Sequence, residues 1–236
     1  MQPYFFPYVG YFDVIRKTDR WVVFDVVKYR PKSWMNRNRI LDVNAGHTYV
    51  TVPVHKASSQ QLSEIRVVDA DRAAGKILKQ LQQYRPTSPF LDAVTRIVQE
   101  TFDDFSKADG LLRDLNTIGL QKTCDYLGIA FHYQICSQLD LDLAHVTHPG
   151  QWALEICDQL GADGYVNPPG GKELFRREEW EERKIDIAFT TLSDLRYEVD
   201  DRFRFEPRLS ILDCMMWLPP DAIREFLDAQ VLDLDL

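Results

Sequence analysis

The apolar positions of the chain change period along its length, and the changes mark out its elements. WVVFDVV, from Trp21, is dense enough in apolar residues for a buried strand that ends at Asp25. HTYVTVPV (47–54) alternates with period two and SEIRVV (63–68) does so more weakly, which predicts two further strands. Residues 11–17 have the spacing of a short helix. From 71 to 127 the spacing turns helical, in AAGKILKQLQQY, FLDAVTRIVQETF and DGLLRDLNTIGLQKTCDYL, with breaks at Pro86, Pro89 and Gly110. Alternation then resumes: IAFHYQI as strand, WALEICDQL as helix, GYVN as a short strand, a Gly-Gly turn, ELFRREEWEERK as helix and IDIAFTTL as strand. Strands separated by helices of this length imply parallel βαβ connections. Two smaller helices, around 209–217 and 220–227, close the chain. The expected fold class is α/β: a sheet-rich N-terminal part, a helical layer over 71–127 and a βαβ-type C-terminal part, forming one compact unit over 1–236 with no internal repeat or low-complexity linker.

Composition narrows the classes. With 236 residues, 45% of them hydrophobic, the chain can bury a substantial core without staples. Its 28 basic and 36 acidic residues leave a formal net charge of −8, which works against extended contact with nucleic acid. Basic groups therefore have local purposes. The acidic runs at 178–182 and 228–235 read as solvated faces or a frayed tail. Cys124, Cys136, Cys157 and Cys214 have no CxxC spacing and sit in apolar stretches, so buried, reduced thiols of a cytosolic protein are expected rather than disulfides or structural zinc. The chain has no apolar run of about 18 residues or more, and its start has neither a basic leader nor a small-residue cleavage site, so a cytoplasmic protein is expected.

Two early runs concentrate chemistry. In QPYFFPYVGYF (2–12), Pro3 and Pro7 fix φ and remove donors, so the run is a shaped loop, and its aromatics, Tyr4 and Tyr8 among them, are placed to line a pocket beside Gln2. In SWMNRNRI (33–40), Asn36, Arg37, Asn38 and Arg39 offer two guanidinium forks and two amides; if extended, the arginines share one face and the asparagines the other. Trp34 either stacks on a base or sugar ring or fills core. In NPPGGKELF (167–175), amides at Gly170 and Gly171 with the ammonium of Lys172 either receive an anion or form a plain glycine turn before a helix starting near Lys172. Asp25, at a strand end, either caps a turn or serves as the catalytic group, orienting a hydroxyl or taking a proton from an amine. RLSILDCMMW (208–217) reads as a capped, buried helix in which Asp213 needs a buried partner, with Arg37 or Arg39 the expected one. His145 and His148 in HVTH lack a third ligand, and His132 with Cys136 reads as strand, so neither a metal site nor a nucleophilic thiol is expected. No G-x-S-x-G or S-x-x-K run marks a serine nucleophile.

QPYFFPYVGYF, WMNRNRI, TVPV, NPPGGKELF and RLSILDCMMW, in this order, resemble the WbqC-like family over nearly the whole chain. Relatives usually carry a few more residues, forming a β-strand, before the Gln-Pro pair, and this chain opens directly on its first loop. They often have a second aspartate after Asp25, where this chain has Val26. The resemblance implies a role in O-antigen, other surface polysaccharide or natural-product biosynthesis, with acyl or aminoacyl transfer to an amino sugar as the activity. The implied substrate is a small molecule such as a nucleotide-linked sugar and the implied donor partner an acyl carrier protein, with no cofactor, membrane or nucleic acid. The residues themselves support an anion-holding, ring-stacking pocket made from Gln2, Tyr4, Tyr8, Arg37, Arg39 and the Gly170 to Lys172 turn. Two other readings stand beside it. One is a nucleotidyltransferase-like enzyme, with Tyr8 and Tyr11 where such enzymes carry histidines; the other is a non-catalytic partner that docks through its aromatic loop.

Overall fold

Two prolines keep the opening run from continuing as helix or ladder, and regular structure begins only beyond them. In the computed structural model, which describes residues 1–55, 60–191 and 193–234, α1 is Val9–Arg16 and buries Val9, Tyr11, Phe12, Val14 and Ile15. Next comes β1 (Trp21–Val23), flanked on both edges. The Met1 amine donates to Val22 O (2.8 Å) and Phe24 N donates to Met1 O (2.8 Å), the pattern of a parallel neighbour. On the opposite edge β1 pairs in parallel with β4 (Tyr133–Ile135), Trp21 against Tyr133. The pairing with β4 ends at Val23 against Ile135, so the strand stops short of Asp25.

The arginine-bearing run is a strand. β2 (Arg37–Asp42) and β3 (Gly46–Thr51) form an antiparallel hairpin in the register Arg37↔Thr51, Arg39↔Tyr49 and Asp42↔Gly46. Its turn is set by Asp42, whose Oδ1 accepts from Asn44 N (2.9 Å) and Ala45 N (3.0 Å), and by Gly46 at φ +72°. The strand expected in SEIRVV is replaced by a 3-10 turn, Leu62–Glu64, and two isolated bridges, Arg66 to Leu111 and Val67 to Val54. Local capping wins here over the weak alternation, since Glu64 Oε2 reaches back to Gln61 N (3.2 Å) and closes the turn on itself.

The helical middle has the expected three members: α2 (Ala70–Leu81), α3 (Leu91–Phe105) and α4 (Leu112–Leu127). Gly128, at φ +65°, ends α4 in the left-handed conformation that glycine adopts without strain. Farther on, α5 (Gln151–Gln159) leads to β5 (Gly164–Asn167), which pairs in parallel with β6 (Asp186–Thr190), as βαβ spacing requires. The helix between them is α6 (Arg177–Arg183), preceded by a 3-10 stretch, Pro169–Leu174, so it starts later than the Lys172 expected from the sequence. α7 (Ile211–Trp217) and α8 (Pro220–Asp228) follow. In the acidic tail expected to be frayed, β7 (Leu232–Asp233) adds antiparallel to β6, while Leu192 and Asp235 lie outside the described residues. Most buried side chains form one cluster that takes in the opening loop, the hairpin, α2–α4 and α7; a smaller one gathers Leu154, Cys157, Trp180, Ile185, Ile187 and Phe189 around β5 and β6.

Between β6 and α7 the described residues 193–208 run as a strap without regular structure. Two aromatics pin it. The ring of Phe203 stacks on Tyr84 at 5.1 Å, and the Tyr197 hydroxyl donates to Asp213 Oδ1 (2.8 Å).

Candidate functional site

Alternation along β2 sends its amides one way and its guanidiniums the other. Asn38 Nδ2 donates to Phe5 O (3.1 Å) and Phe6 O (2.8 Å), and Asn36 Nδ2 to Val52 O (2.9 Å). The asparagines predicted to bind substrate therefore hold the opening loop and the end of the hairpin. Phe6, at φ +39°, is in a conformation unfavourable for an aromatic residue, and its carbonyl is fastened from a second side by Ser210 Oγ (2.7 Å). Asn116 of α4 adds donations to Pro3 O (2.9 Å) and Met35 O (2.8 Å). Held this tightly, the loop is mostly core: Phe5 and Phe6 are each 1% exposed. The aromatic docking surface expected of a non-catalytic partner is not what this loop presents. Only Tyr4 and Tyr8 of its rings remain half-buried at the rim, with Gln2 Oε1 accepting from the Tyr4 hydroxyl (3.2 Å).

The outward face of the hairpin carries the cations. Arg37 lies over the Tyr49 ring at 4.2 Å, and Arg39 over Trp34 at 5.6 Å. Trp34 is 40% exposed, so it is a surface platform rather than core filling. Arg39 is partly neutralised by Glu206 (3.9 Å) and donates to Arg208 O (3.5 Å). Arg37 differs in having no carboxylate at ion-pair distance among the described residues, while the Nε of both arginines is buried without an acceptor there. Three tyrosine hydroxyls, on Tyr4, Tyr8 and Tyr29, each lie within the field of an arginine, for Tyr29 that of Arg37. Burial raises all three pKa values, opposed by the charges of Arg30, Arg208 and Arg37 respectively. They remain protonated donors near neutral pH. The arrangement suits an anion attached to a flat ring, because forked donors and exposed π faces lie side by side.

The other expected site residues lie in separate environments. Asp25 is fully buried, and its Oδ2 accepts from Arg113 Nη1 (2.6 Å) and Ser137 Oγ (2.7 Å) while Oδ1 accepts from Ser137 N (2.9 Å). In the Pro169–Leu174 turn, Gly171 N donates to Pro168 O (3.2 Å), and Lys172 Nζ sits 3.2 Å from Asp233 and 5.4 Å from the Phe189 ring centre. That ammonium is already paired. Asp213 is buried too, but its partner is not an arginine: Leu41 N (2.8 Å), the Tyr84 hydroxyl (2.5 Å) and the Tyr197 hydroxyl (2.8 Å) donate to it. Alternation explains the correction, since Arg37 and Arg39 point away from α7. Desolvation raises the pKa of Asp213, and these neutral donors offset it only in part. A cavity of about 10 Å³, room for about one water, lies between Tyr8, Arg208, Tyr197 and Cys214, too small for a substrate.

Among the described residues no group of three or more His, Cys, Asp or Glu side chains is arranged to hold a metal. The HVTH histidines are instead paired separately, His145 Nε2 with Glu155 (2.9 Å) and His148 Nε2 with Glu179 (3.0 Å). All four cysteines are buried and free. Burial pushes the thiols up, Cys136 and Cys157 to about 11 and Cys214 to about 12, so none is a ready nucleophile. No helix among the described residues is long and apolar enough to cross a membrane.

Several contributors carried no local signal. Arg113 and Ser137 reach Asp25 from 88 and 112 positions away. Tyr49 could have been found from the alternation of HTYVTV, since it shares a face with Arg39 once the strands pair.

Fold and site together define an α/β protein whose proline-shaped loop is bolted to a hairpin with an arginine and aromatic face. The chain belongs to the WbqC-like protein family, which it matches over residues 2–225. It is similar to the "Uncharacterized protein Rv1507c" of Mycobacterium tuberculosis, at 26% identity over 226 residues that cover 94% of each chain. No solved structure matches it.

Proposed function

We propose that this protein transfers an acyl or aminoacyl group to an amine of a nucleotide-linked sugar or related small molecule, in the cytoplasm, as a step of surface polysaccharide or natural-product biosynthesis. The observation that carries the reading is Arg37, a guanidinium stacked on Tyr49 with no carboxylate partner among the described residues. Such a group is poised for an oxyanion, and the exposed ring of Trp34 beside Arg39 offers a platform for a base or sugar. In the transfer, the amine nitrogen attacks the acyl carbonyl, the bond from that carbonyl to the donor breaks, and the amine proton passes to a base or to solvent. Asp25 has no step in this transfer: with both oxygens engaged by Arg113 and Ser137, apart from the arginine face, it holds the segment after β1 and fixes the Ser137 hydroxyl.

The test is incubation with a panel of nucleotide amino sugars and acyl donors, including carrier-bound thioesters, followed by mass spectrometry of the sugar. A mass gain that requires Arg37 supports the reading. Absence of product from every donor, with nucleotide-sugar binding undiminished in Arg37→Ala, removes it. Release of pyrophosphate from a nucleoside triphosphate in the presence of Mg²⁺ would favour nucleotidyl transfer instead.

A further inference from the structure

The turn end of the arginine face already holds a carboxylate, and it comes from the strap. Glu206 Oε2 lies 2.7 Å from His47 Nδ1 and 3.9 Å from Arg39 Nη1. Its Oε1 fills the space beside Gly46, where a Cβ would stand 2.6 Å away. A glycine without a side chain, an imidazole nitrogen and a guanidinium thus surround one oxyanion. We propose that this is an oxyanion-binding seat that Glu206 fills until a phosphate of the ligand takes its place, so that Arg37 and Arg39 together hold the diphosphate of a nucleotide-linked substrate.

Three features separate an exchangeable occupant from a permanent clasp. The contact to Arg39 is too long for a hydrogen bond, and the side chains of Glu206, Arg39 and His47 keep 28%, 24% and 30% of their surface exposed, so a ligand can reach the carboxylate and its partners. The strap has its own anchors in Tyr197 and Phe203, so Glu206 can leave without releasing the strap as a whole. Arg37 and Arg39 also face the same way two positions apart, about 7 Å along a strand, near enough for their long side chains to converge on a diphosphate. A dianionic group able to engage Arg39 bidentately and Arg37 simultaneously outcompetes one carboxylate that touches Arg39 only at 3.9 Å and is held closely by His47 alone (2.7 Å).

This seat rests on the reading of Arg37 as an anion holder, and one titration series separates the two. Inorganic pyrophosphate is titrated calorimetrically into the full chain as wild type, Glu206→Gln, Arg37→Ala and the double variant Glu206→Gln/Arg39→Ala. Removing the competing charge is expected to tighten binding about fivefold in Glu206→Gln, and the double variant to lose that gain. In the wild-type protein, amide hydrogen exchange over residues 204–208 is expected to rise when pyrophosphate is added. The seat is overturned if Glu206→Gln binds no tighter than wild type, if it does not bind pyrophosphate at all, or if exchange there is unchanged. Loss of binding in Arg37→Ala without tightening in Glu206→Gln sinks the seat and leaves the anion face standing. Tightening in Glu206→Gln with Arg37→Ala unaffected does the reverse.

Discussion

Asn38 and Arg39 are neighbours in sequence and act on opposite faces. Asn38 is 4% exposed and donates to two carbonyls of the opening loop, so Asn38→Ala takes that donor from Phe5 O and leaves Phe6 O with Ser210 Oγ. A loss of about 1–3 kcal/mol is expected from urea denaturation, and full stability would refute its role as a fastener. Arg37→Ala gives up only a stacked, half-buried side chain, so less than about 1 kcal/mol of stability should go with it, while binding of a nucleotide sugar falls. Asp25 is judged by magnitude as well. Removing one member of a buried, hydrogen-bonded pair costs about 3–5 kcal/mol, far more than an exposed pair, so Asp25→Ala should unfold at a much lower urea concentration. A stable but inactive Asp25→Ala protein would argue for direct chemistry instead.

At the scale of elements, the loop and α4 depend on a missing side chain. A Cβ on Gly119 would lie 3.4 Å from the Phe6 ring, an ordinary contact, but the larger branches of valine would enter the ring's space. Phe6 cannot retreat, because Asn38 and Ser210 both hold its carbonyl. Gly119→Val should therefore cost about 1–3 kcal/mol and lower the thermal midpoint by several degrees; an unchanged midpoint would mean that the loop can slide. Elements with strong patterns formed as expected, namely the three helices in the middle and the parallel pairing of GYVN with 186–189 of IDIAFTTL, and NRNRI, expected to split its arginines from its asparagines if extended, is extended in β2. The weak pattern failed. SEIRVV alternates too briefly to outweigh the capping contact between Gln61 and Glu64, and its residues bridge singly to Val54 and Leu111 instead.

For the whole molecule, Asp213 links β2, Tyr84 in the 3-10 turn Gln82–Tyr84 that follows α2, the strap and α7 through one carboxylate. Its pKa is raised by burial above the ordinary 3.8, so from that value upward the folded protein keeps a proton that the unfolded chain has released. The stability it contributes is fully present below the unfolded value and is lost as pH rises through the folded one. The advantage of wild type over Asp213→Asn, measured from urea midpoints at successive pH values, should therefore shrink as pH increases. An advantage that grows with pH would show that the three donors outweigh desolvation and hold the carboxylate ionised.

By itself, the sequence determined what depends on neighbours a few positions apart. Proline placement made the opening run a loop, periodicity made the helices, and period-two alternation divided the amides of SWMNRNRI from its guanidiniums. The tertiary structure alone decided which polar groups were already satisfied. Asp25 found Arg113 and Ser137, Lys172 found Asp233, and Asp213 found two tyrosines, whereas Arg37 met the ring of Tyr49 and no carboxylate at ion-pair distance among the described residues. The reason is physical: a buried charge must be compensated, but the compensating group need only be near in space, and chain separation leaves no periodic trace of it.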